Sequence, residues 1–226
     1  MRLGPSTRHI PKALVQVAGQ PFLSHQLALL RDNGVRRVLL LVGHLGEQIQ
    51  EAYGSGDRFG LSIDYSFDGP VLLGTAGAIR QAMSQLPERF FVLYGDSYLT
   101  CDFGAVAAAF RRSGQPALMT VFRNEGSFDR SNIEFDGSRI VRYDKRHQTP
   151  AMRHIDYGLC AFDRRVFAAL PAGVNIDLVA VCQTLIAADQ LAAFEVGERF
   201  YEIGSPEGLR DTETYLRAQA TRRGHE

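Results

Sequence analysis

A mixed α/β sheet is the fold class that this sequence predicts, and three observations predict it. Short apolar runs of strand length alternate along the chain with segments whose apolar residues recur at helical spacing. One such run, Phe90-Phe91-Val92-Leu93-Tyr94, is unbroken and reads as a strand buried on both faces, of the parallel-sheet kind, before Gly95-Asp96 ends it. Late in the chain, Asp136-Gly137-Ser138 separates two extended runs and marks an antiparallel hairpin. With 226 residues, no repeats and no linker, a single domain over 1–226 is expected.

The first twelve residues are rich in Gly, Pro and hydroxyls and read as a loop. Ala13–Val17 follows as a short extended segment that Gly19 and Pro21 close. Phe22–Asn33 places Leu23, Leu27 and Leu30 on one helical face and stops at Asn33-Gly34. Val38–Val42 is a second buried strand, Glu47–Tyr53 a helix and Leu61–Ser66 an alternating strand. Gly74-Thr75-Ala76-Gly77-Ala78 opens a helix that runs to Leu86. After the Phe90 strand come a helix over Ala105–Arg112 and a strand over Ala117–Phe122. The hairpin uses Ser131–Phe135 and Arg139–Tyr143 and delivers Asp144-Lys145 at its end. Ile155–Phe162 is a strand, Asp177–Ala188 a helix, and Phe194–Val196 and Phe200–Gly204 are extended. Ser205-Pro206 has the residue types of an N-cap and first helical position, so a last helix runs from there to Ala220.

Composition removes several classes of function. Basic and acidic residues balance at 25 each, so no net field draws the chain to nucleic acid or an anionic membrane. Cys101, Cys160 and Cys182 are odd in number and far apart, which supports neither a disulfide framework nor a zinc site. They read as reduced, buried thiols of a cytoplasmic protein. No apolar run reaches the length of a membrane span, and none follows the N-terminus as a signal peptide would. The six histidines show no ligand spacing. Among the 25 basic residues only Lys12 and Lys145 are lysines. Lysine carries a compact ammonium on a thin stem, which suits a narrow phosphate pocket better than the wide arginine fork.

Two places have the residue types for ligand chemistry. In open α/β sheets, ligands bind beyond the carboxyl ends of strands, which is where Asp96 stands, with Gly95 allowing close backbone approach. The glycines of Gly74–Gly77 leave a helix start bare, and free N–H groups at such a start suit phosphate or a nucleotide.

These motifs, in order, resemble the sugar-1-phosphate nucleotidyltransferases. Arg2-Leu3-Gly4-Pro5-Ser6-Thr7, Pro11-Lys12-Ala13-Leu14 and Val17-Ala18-Gly19-Gln20-Pro21 look like the family signature. Gly74–Ala78, Gly95-Asp96-Ser97, Asp144-Lys145 and Glu202-Ile203-Gly204-Ser205-Pro206-Glu207 match its later motifs. The resemblance covers nearly the whole chain. It implies a Rossmann-like, GT-A-like three-layer mixed sheet. It further implies an enzyme that joins a sugar 1-phosphate to a nucleoside triphosphate and releases pyrophosphate, with Mg²⁺ as cofactor.

Carried onto this chain, the resemblance makes Arg2 and Lys12 the catalytic pair that contacts the triphosphate, and Asp96 and Glu202 the metal ligands. Gly74, Thr75 and Gly77 would line the nucleotide, Asp144 would accept sugar hydroxyls, Lys145 would hold the sugar phosphate, and Asp156 would also touch the sugar. The short length and Gly95-Asp96-Ser97-Tyr98 are most similar to branches acting on heptose, mannose or N-acetylmuramic acid 1-phosphates, and a mannose or heptose guanylyltransferase is expected. Glu202 stands where the family mostly has Asp, and Asp156 where Asn is commoner. The family's first strand and glycine-rich turn, which precede the Arg2 position, are not found, so the sequence is expected to be an N-terminally truncated version of a longer enzyme. A nucleotide-sugar glycosyltransferase and a non-catalytic sugar-nucleotide sensor are the alternatives; Asp96-Ser97-Tyr98 lacks the second aspartate usual in the former. Oligomeric state is left open.

Overall fold

The computed structural model describes residues 10–223. In chain order they form a 3-10 turn Lys12–Leu14, β1 (Gln16–Val17), β2 (Gln20–Pro21), α1 (Phe22–Asp32), β3 (Arg37–Val42), α2 (Gly46–Tyr53), a 3-10 turn Asp57–Phe59 and β4 (Ser62–Phe67). Next come α3 (Gly74–Gln81), a 3-10 turn Met83–Gln85, β5 (Arg89–Leu93), β6 (Ser97–Tyr98), α4 (Phe103–Ser113) and β7 (Ala117–Arg123). The chain continues through β8 (Ile133–Phe135), β9 (Ile140–Tyr143), β10 (His154–Asp163), α5 (Arg165–Ala168), α6 (Leu178–Ala187), β11 (Leu191–Val196), β12 (Tyr201–Glu202) and α7 (Pro206–Arg223). These elements gather into two compact units, one of the described residues up to 65 with 94–98 and those from 200 onward, the other of 66–93 and 99–199.

The first unit is built around short paired segments and three helices. β1 and β2 form an antiparallel hairpin whose turn puts both Ala18 and Gly19 at positive φ. The left-handed region is natural for Gly19 and costs Ala18 on the order of 1–2 kcal/mol. β3 pairs with β4. β6 and β12 pair antiparallel, with Ser97 opposite Glu202 and Tyr98 opposite Tyr201. Val17, Phe22, Ile203 and Leu216 make a buried cluster that ties the hairpin, α1, the β12 end and α7 together.

The second unit holds a six-stranded mixed sheet in the order β11-β7-β10-β8-β9, with β5 also paired to β10. β11 runs parallel to β7, and the other pairings are antiparallel. β10 is the strand on which this sheet is organised; every residue from Ile155 to Asp163 is buried. A register shift between Asp156 and Cys160 bulges β10 against β7, with Gly158 at a φ of 99° inside it. Bulges re-aim side chains, and here the bulge begins at Asp156.

Two strand readings change. The Phe90 strand, β5, is antiparallel to β10 rather than parallel, and Phe90–Leu93 are half-buried rather than enclosed on both faces. β3 is likewise half-buried from Val38 to Leu41. An unbroken apolar run fixes extended backbone and burial tendency, but not strand direction or how many neighbours it finds. The Lys12–Leu14 stretch is a 3-10 turn, not extended, because Pro11 enters it with φ −57° and Leu14 and Val15 close backbone bonds to Pro11 and Lys12. α3 is shorter than the sequence predicts, ending at Gln81 before its own 3-10 turn. The hairpin, the helices near Ala105 and Leu178, and the final helix lie where the sequence places them, with Asp102 and Asp177 as side-chain N-caps.

Candidate functional site

In the first unit, three charged side chains gather where β6 meets β12. The pairing of Ser97 with Glu202 sets Asp96 beside Ile203, whose N–H donates to the Asp96 carbonyl at 2.9 Å. The buried Gln26 side chain of α1 donates to the carbonyls of Tyr94 and Ser97 at 3.0 and 2.7 Å, fixing both ends of the turn that presents Asp96. Lys12 leaves its 3-10 turn and places Nζ 3.0 Å from Asp96 Oδ2. Both side chains are about two-fifths exposed, at 42% and 41%. An ion pair so open to water stabilises a fold by about 0–1 kcal/mol, so stability gives little reason for it.

Glu202 is held by its own turn. Its Oε2 accepts the N–H groups of Gly204 and Ser205, and Ser205 Oγ donates to Oε1 at 2.6 Å. A Cβ on Gly204 would lie 2.7 Å from Glu202 Oε2, 3.4 Å from Lys12 Nζ and 3.6 Å from Asp96 Oδ2. The bare α-carbon of Gly204 is therefore surrounded by two carboxylates and an ammonium. Hard oxygen donors of this kind suit Mg²⁺, which takes one or two carboxylates and completes its shell with water and phosphate oxygens. The residues present fit such an ion. Among the described residues no group of three or more His, Cys, Asp or Glu could hold a metal, so the carboxylate pair is what the protein itself offers.

In the second unit, Asp156 is a buried carboxylate with its partners in place. Tyr143 Oη donates to Asp156 Oδ2 at 2.7 Å, Gly158 N–H donates to Oδ1 at 3.1 Å, and Lys145 Nζ lies 3.5 Å from Oδ2. The Asp156 side chain is 1% exposed and that of Lys145 43%, so the pair presents its positive end outward. Asn132 Oδ1 accepts the Asp156 N–H and completes the support. Asp144 is committed to its own turn. Its Oδ1 accepts the N–H groups of His147 and Arg146, and these bonds hold its carboxyl at about 2, below the ordinary 3.8.

The glycines at the start of α3 have a packing reason. A Cβ on Gly74 would lie 2.6 Å from the Ile176 carbonyl oxygen, and one on Gly77 would collide with the Val174 carbonyl. The N–H groups of Ala76 and Gly77 both donate to Ile176 O, at 3.0 and 3.3 Å. The expectation that these N–H groups stand free for an anion is not met, because another stretch of backbone has taken them. Thr75 stays partly open at this turn, next to the exposed Val71 and Leu72.

The structure thus brings Lys12, Asp96 and Glu202 together in one unit and Lys145 and Asp156 together in the other, with Gly74, Thr75, Gly77 and Asp144 also in the second. Arg2 lies outside the described residues. Sequence reasoning missed Gln26, Tyr143 and the bonds that Ser205 makes to Glu202. Gln26 had a signal, a polar residue within the apolar stripe of Leu23 and Leu27; the others needed the fold.

Residues 1–219 match the nucleotidyl transferase family, and the chain belongs to that family. It is similar to the UTP–glucose-1-phosphate uridylyltransferase of Synechocystis, 28% identical over 196 residues, or 78% of this chain and 50% of that protein. It is also similar to the mannose-1-phosphate guanylyltransferase catalytic subunit beta of Drosophila pseudoobscura pseudoobscura, 28% identical over 210 residues, or 91% of this chain and 56% of that one. The chain therefore spans about half the length of these curated relatives. In fold it matches a Bacillus anthracis protein solved with a bound sucrose, with a TM-score of 0.83 at 19% identity over 96% of this chain and 90% of that one. The mixed α/β architecture expected from the sequence is thereby shown.

Proposed function

We propose that this protein transfers a nucleoside monophosphate from a nucleoside triphosphate to a sugar 1-phosphate. The observation that carries this reading is the meeting of Lys12, Asp96 and Glu202 around the bare Gly204. A phosphate oxygen of the sugar 1-phosphate forms a bond to the α-phosphorus of the triphosphate. The bond from that phosphorus to the bridging oxygen breaks in line, and the electron pair leaves with pyrophosphate. No covalent enzyme intermediate is needed, so the protein's work is to position anions and match their charge.

Lys12 meets the triphosphate as a mobile ammonium that exchanges Asp96 for a phosphate oxygen. Arg2 is assigned the second cationic contact there, in the bidentate form that guanidinium allows. Lys145, steadied by the buried Asp156, holds the phosphate of the sugar. Thr75, with Gly74 and Gly77 shaping its turn, lines the nucleotide, and Asp144 borders the sugar. Asp96 would hold Mg²⁺, with Glu202 in the turn beside it, and the ion would supply charge neutralisation at the phosphates. The relatives differ in base, uridylyl in one and guanylyl in another. Within that range we favour guanylyl transfer to mannose or heptose 1-phosphate, in the cytoplasm.

The test is pyrophosphate release by the full chain, with each of four nucleoside triphosphates against mannose, heptose, glucose and N-acetylmuramic acid 1-phosphates. Release that requires both substrates is expected. Binding of a nucleotide sugar with no release under any pairing would replace the enzyme with a sensor.

A further inference from the structure

We propose that Glu202 is a positioning residue rather than a direct cation ligand, and that Gly208 is what permits a glutamate at this place. The inference rests on the nucleotidyl-transfer reading and divides the two carboxylates of its site into different roles. Asp96 accepts one contact, from Lys12 to Oδ2, and among the described residues its Oδ1 accepts no hydrogen bond. Glu202 is saturated by comparison, with Gly204 N–H, Ser205 N–H and Ser205 Oγ all directed at its carboxylate. A carboxylate with three donors has fewer lone pairs left for an ion than one with a single lysine.

The donors that hold Glu202 are those that open α7. Pro206 has no N–H, and the Gly208 N–H donates to Ser205 Oγ at 2.9 Å, so Ser205 is the cap residue and Glu202 satisfies the two N–H groups just before the helix. The positive end of a helix favours a carboxylate there. Thr212 Oγ1 closes the unit by donating to the Glu202 carbonyl at 2.8 Å. Glutamate is one methylene longer than aspartate, and the extra length must go somewhere. It goes into the space over Gly208, where a Cβ would fall on Glu202 Oε1. Residues 202 and 208 are thus coupled sterically, and Glu202 orders the turn whose Gly204 faces Asp96 and Lys12.

Mn²⁺ is the probe, titrated into the full chain and followed by the paramagnetic resonance of the free ion, alongside thermal unfolding. Asp96→Asn should abolish measurable Mn²⁺ binding, and Glu202→Gln should weaken it only about tenfold, the lower end of the scale for a residue acting through others. Glu202→Gln and Gly208→Ala should both lower the thermal midpoint by a few degrees, because each disturbs the turn before α7. Equal loss of Mn²⁺ affinity in Glu202→Gln and Asp96→Asn would overturn the assignment, as would a wild type that binds no Mn²⁺. An unchanged midpoint in Gly208→Ala would overturn the coupling. A chain that releases pyrophosphate yet loses Mn²⁺ equally in both variants refutes this inference alone, whereas one that never releases pyrophosphate refutes the functional reading.

Discussion

Lys12 Nζ stands 3.0 Å from Asp96 Oδ2 across 84 residues of sequence, on an open surface where such a pair adds little to stability. On the nucleotidyl transfer proposed above, Lys12 would exchange Asp96 for a phosphate oxygen. Lys12→Met should lower kcat/KM for pyrophosphate release about a hundredfold, the scale of losing one charge-stabilising donor. Lys12→Arg should recover little of it, since a planar fork does not replace a point charge. Both variants should unfold in urea within about 0.5 kcal/mol of wild type.

Tyr143 and Asp156 form the buried half of the lysine site in the second unit. Tyr143→Phe removes one donor from a carboxylate that stays buried, which should cost about 1–3 kcal/mol in denaturant unfolding. Asp156→Asn should restore part of that loss in the double variant, because a neutral amide needs less support than a buried charge. If the two single losses simply add, Tyr143 does not act on Asp156.

Gly77 and Gly95 are glycines for different reasons. A Cβ at Gly77 would strike the Val174 carbonyl, so Gly77→Ala should destabilise the chain by about 1–3 kcal/mol. A Cβ on Gly95 would meet no atom of the described residues within 4 Å. Gly95→Ala should therefore leave unfolding within about 0.5 kcal/mol of wild type and raise KM for a substrate, if the open space at Asp96 belongs to a ligand.

All three cysteines are buried as free thiols. Burial pushes the Cys101 thiol up to about 12, and Cys160 and Cys182 are raised as well, so all three are neutral at pH 8. A disulfide reagent such as DTNB should react slowly with native protein and titrate three thiols rapidly in denaturant. Fast native labelling would show that this unit opens locally.

Asp144 sets a small acid limb. Its folded value, about 2, lies below the ordinary 3.8, so its contribution to stability is present above pH 3.8 and lost as pH falls through 2. Asp144→Asn should be less stable than wild type at pH 6, with the difference shrinking below pH 4 and gone only below about pH 2. Unfolding midpoints across that range measure it.

Legibility in the sequence follows the range of the interactions. The hairpin about Asp136-Gly137 and the Ser205-Pro206 helix start are local devices, and residue type alone marks them. The direction of β5 depends on β10, some 65 residues later, and an apolar run says nothing of its partner. Among site residues, Lys12 and Lys145 stood out because arginine serves almost everywhere else, and the motif resemblance put Asp96 and Glu202 together. Tyr143 was hidden, since a tyrosine in a strand is most often packing and its hydroxyl partner, Asp156, is reached only through the sheet. Gly74 and Gly77 read as an anion cradle because bare glycine suits any close neighbour; only the fold shows that the neighbour is backbone.

That neighbour has a consequence for the order of assembly. The N–H groups of Ala76 and Gly77, in the first turn of α3, donate to the Ile176 carbonyl, and Asn175 Nδ2 reaches the Leu72 carbonyl across 103 residues. A ribosome making this chain releases the glycine-rich stretch long before the segment that caps it exists. Until Val174–Ile176 emerges, the N–H groups of Ala76 and Gly77 lack this acceptor and α3 has only its own eight residues to hold it, too few for a stable helix in water. The helix start therefore waits on a late event in synthesis, and a chain halted short of Ile176 should keep this region unprotected against hydrogen exchange.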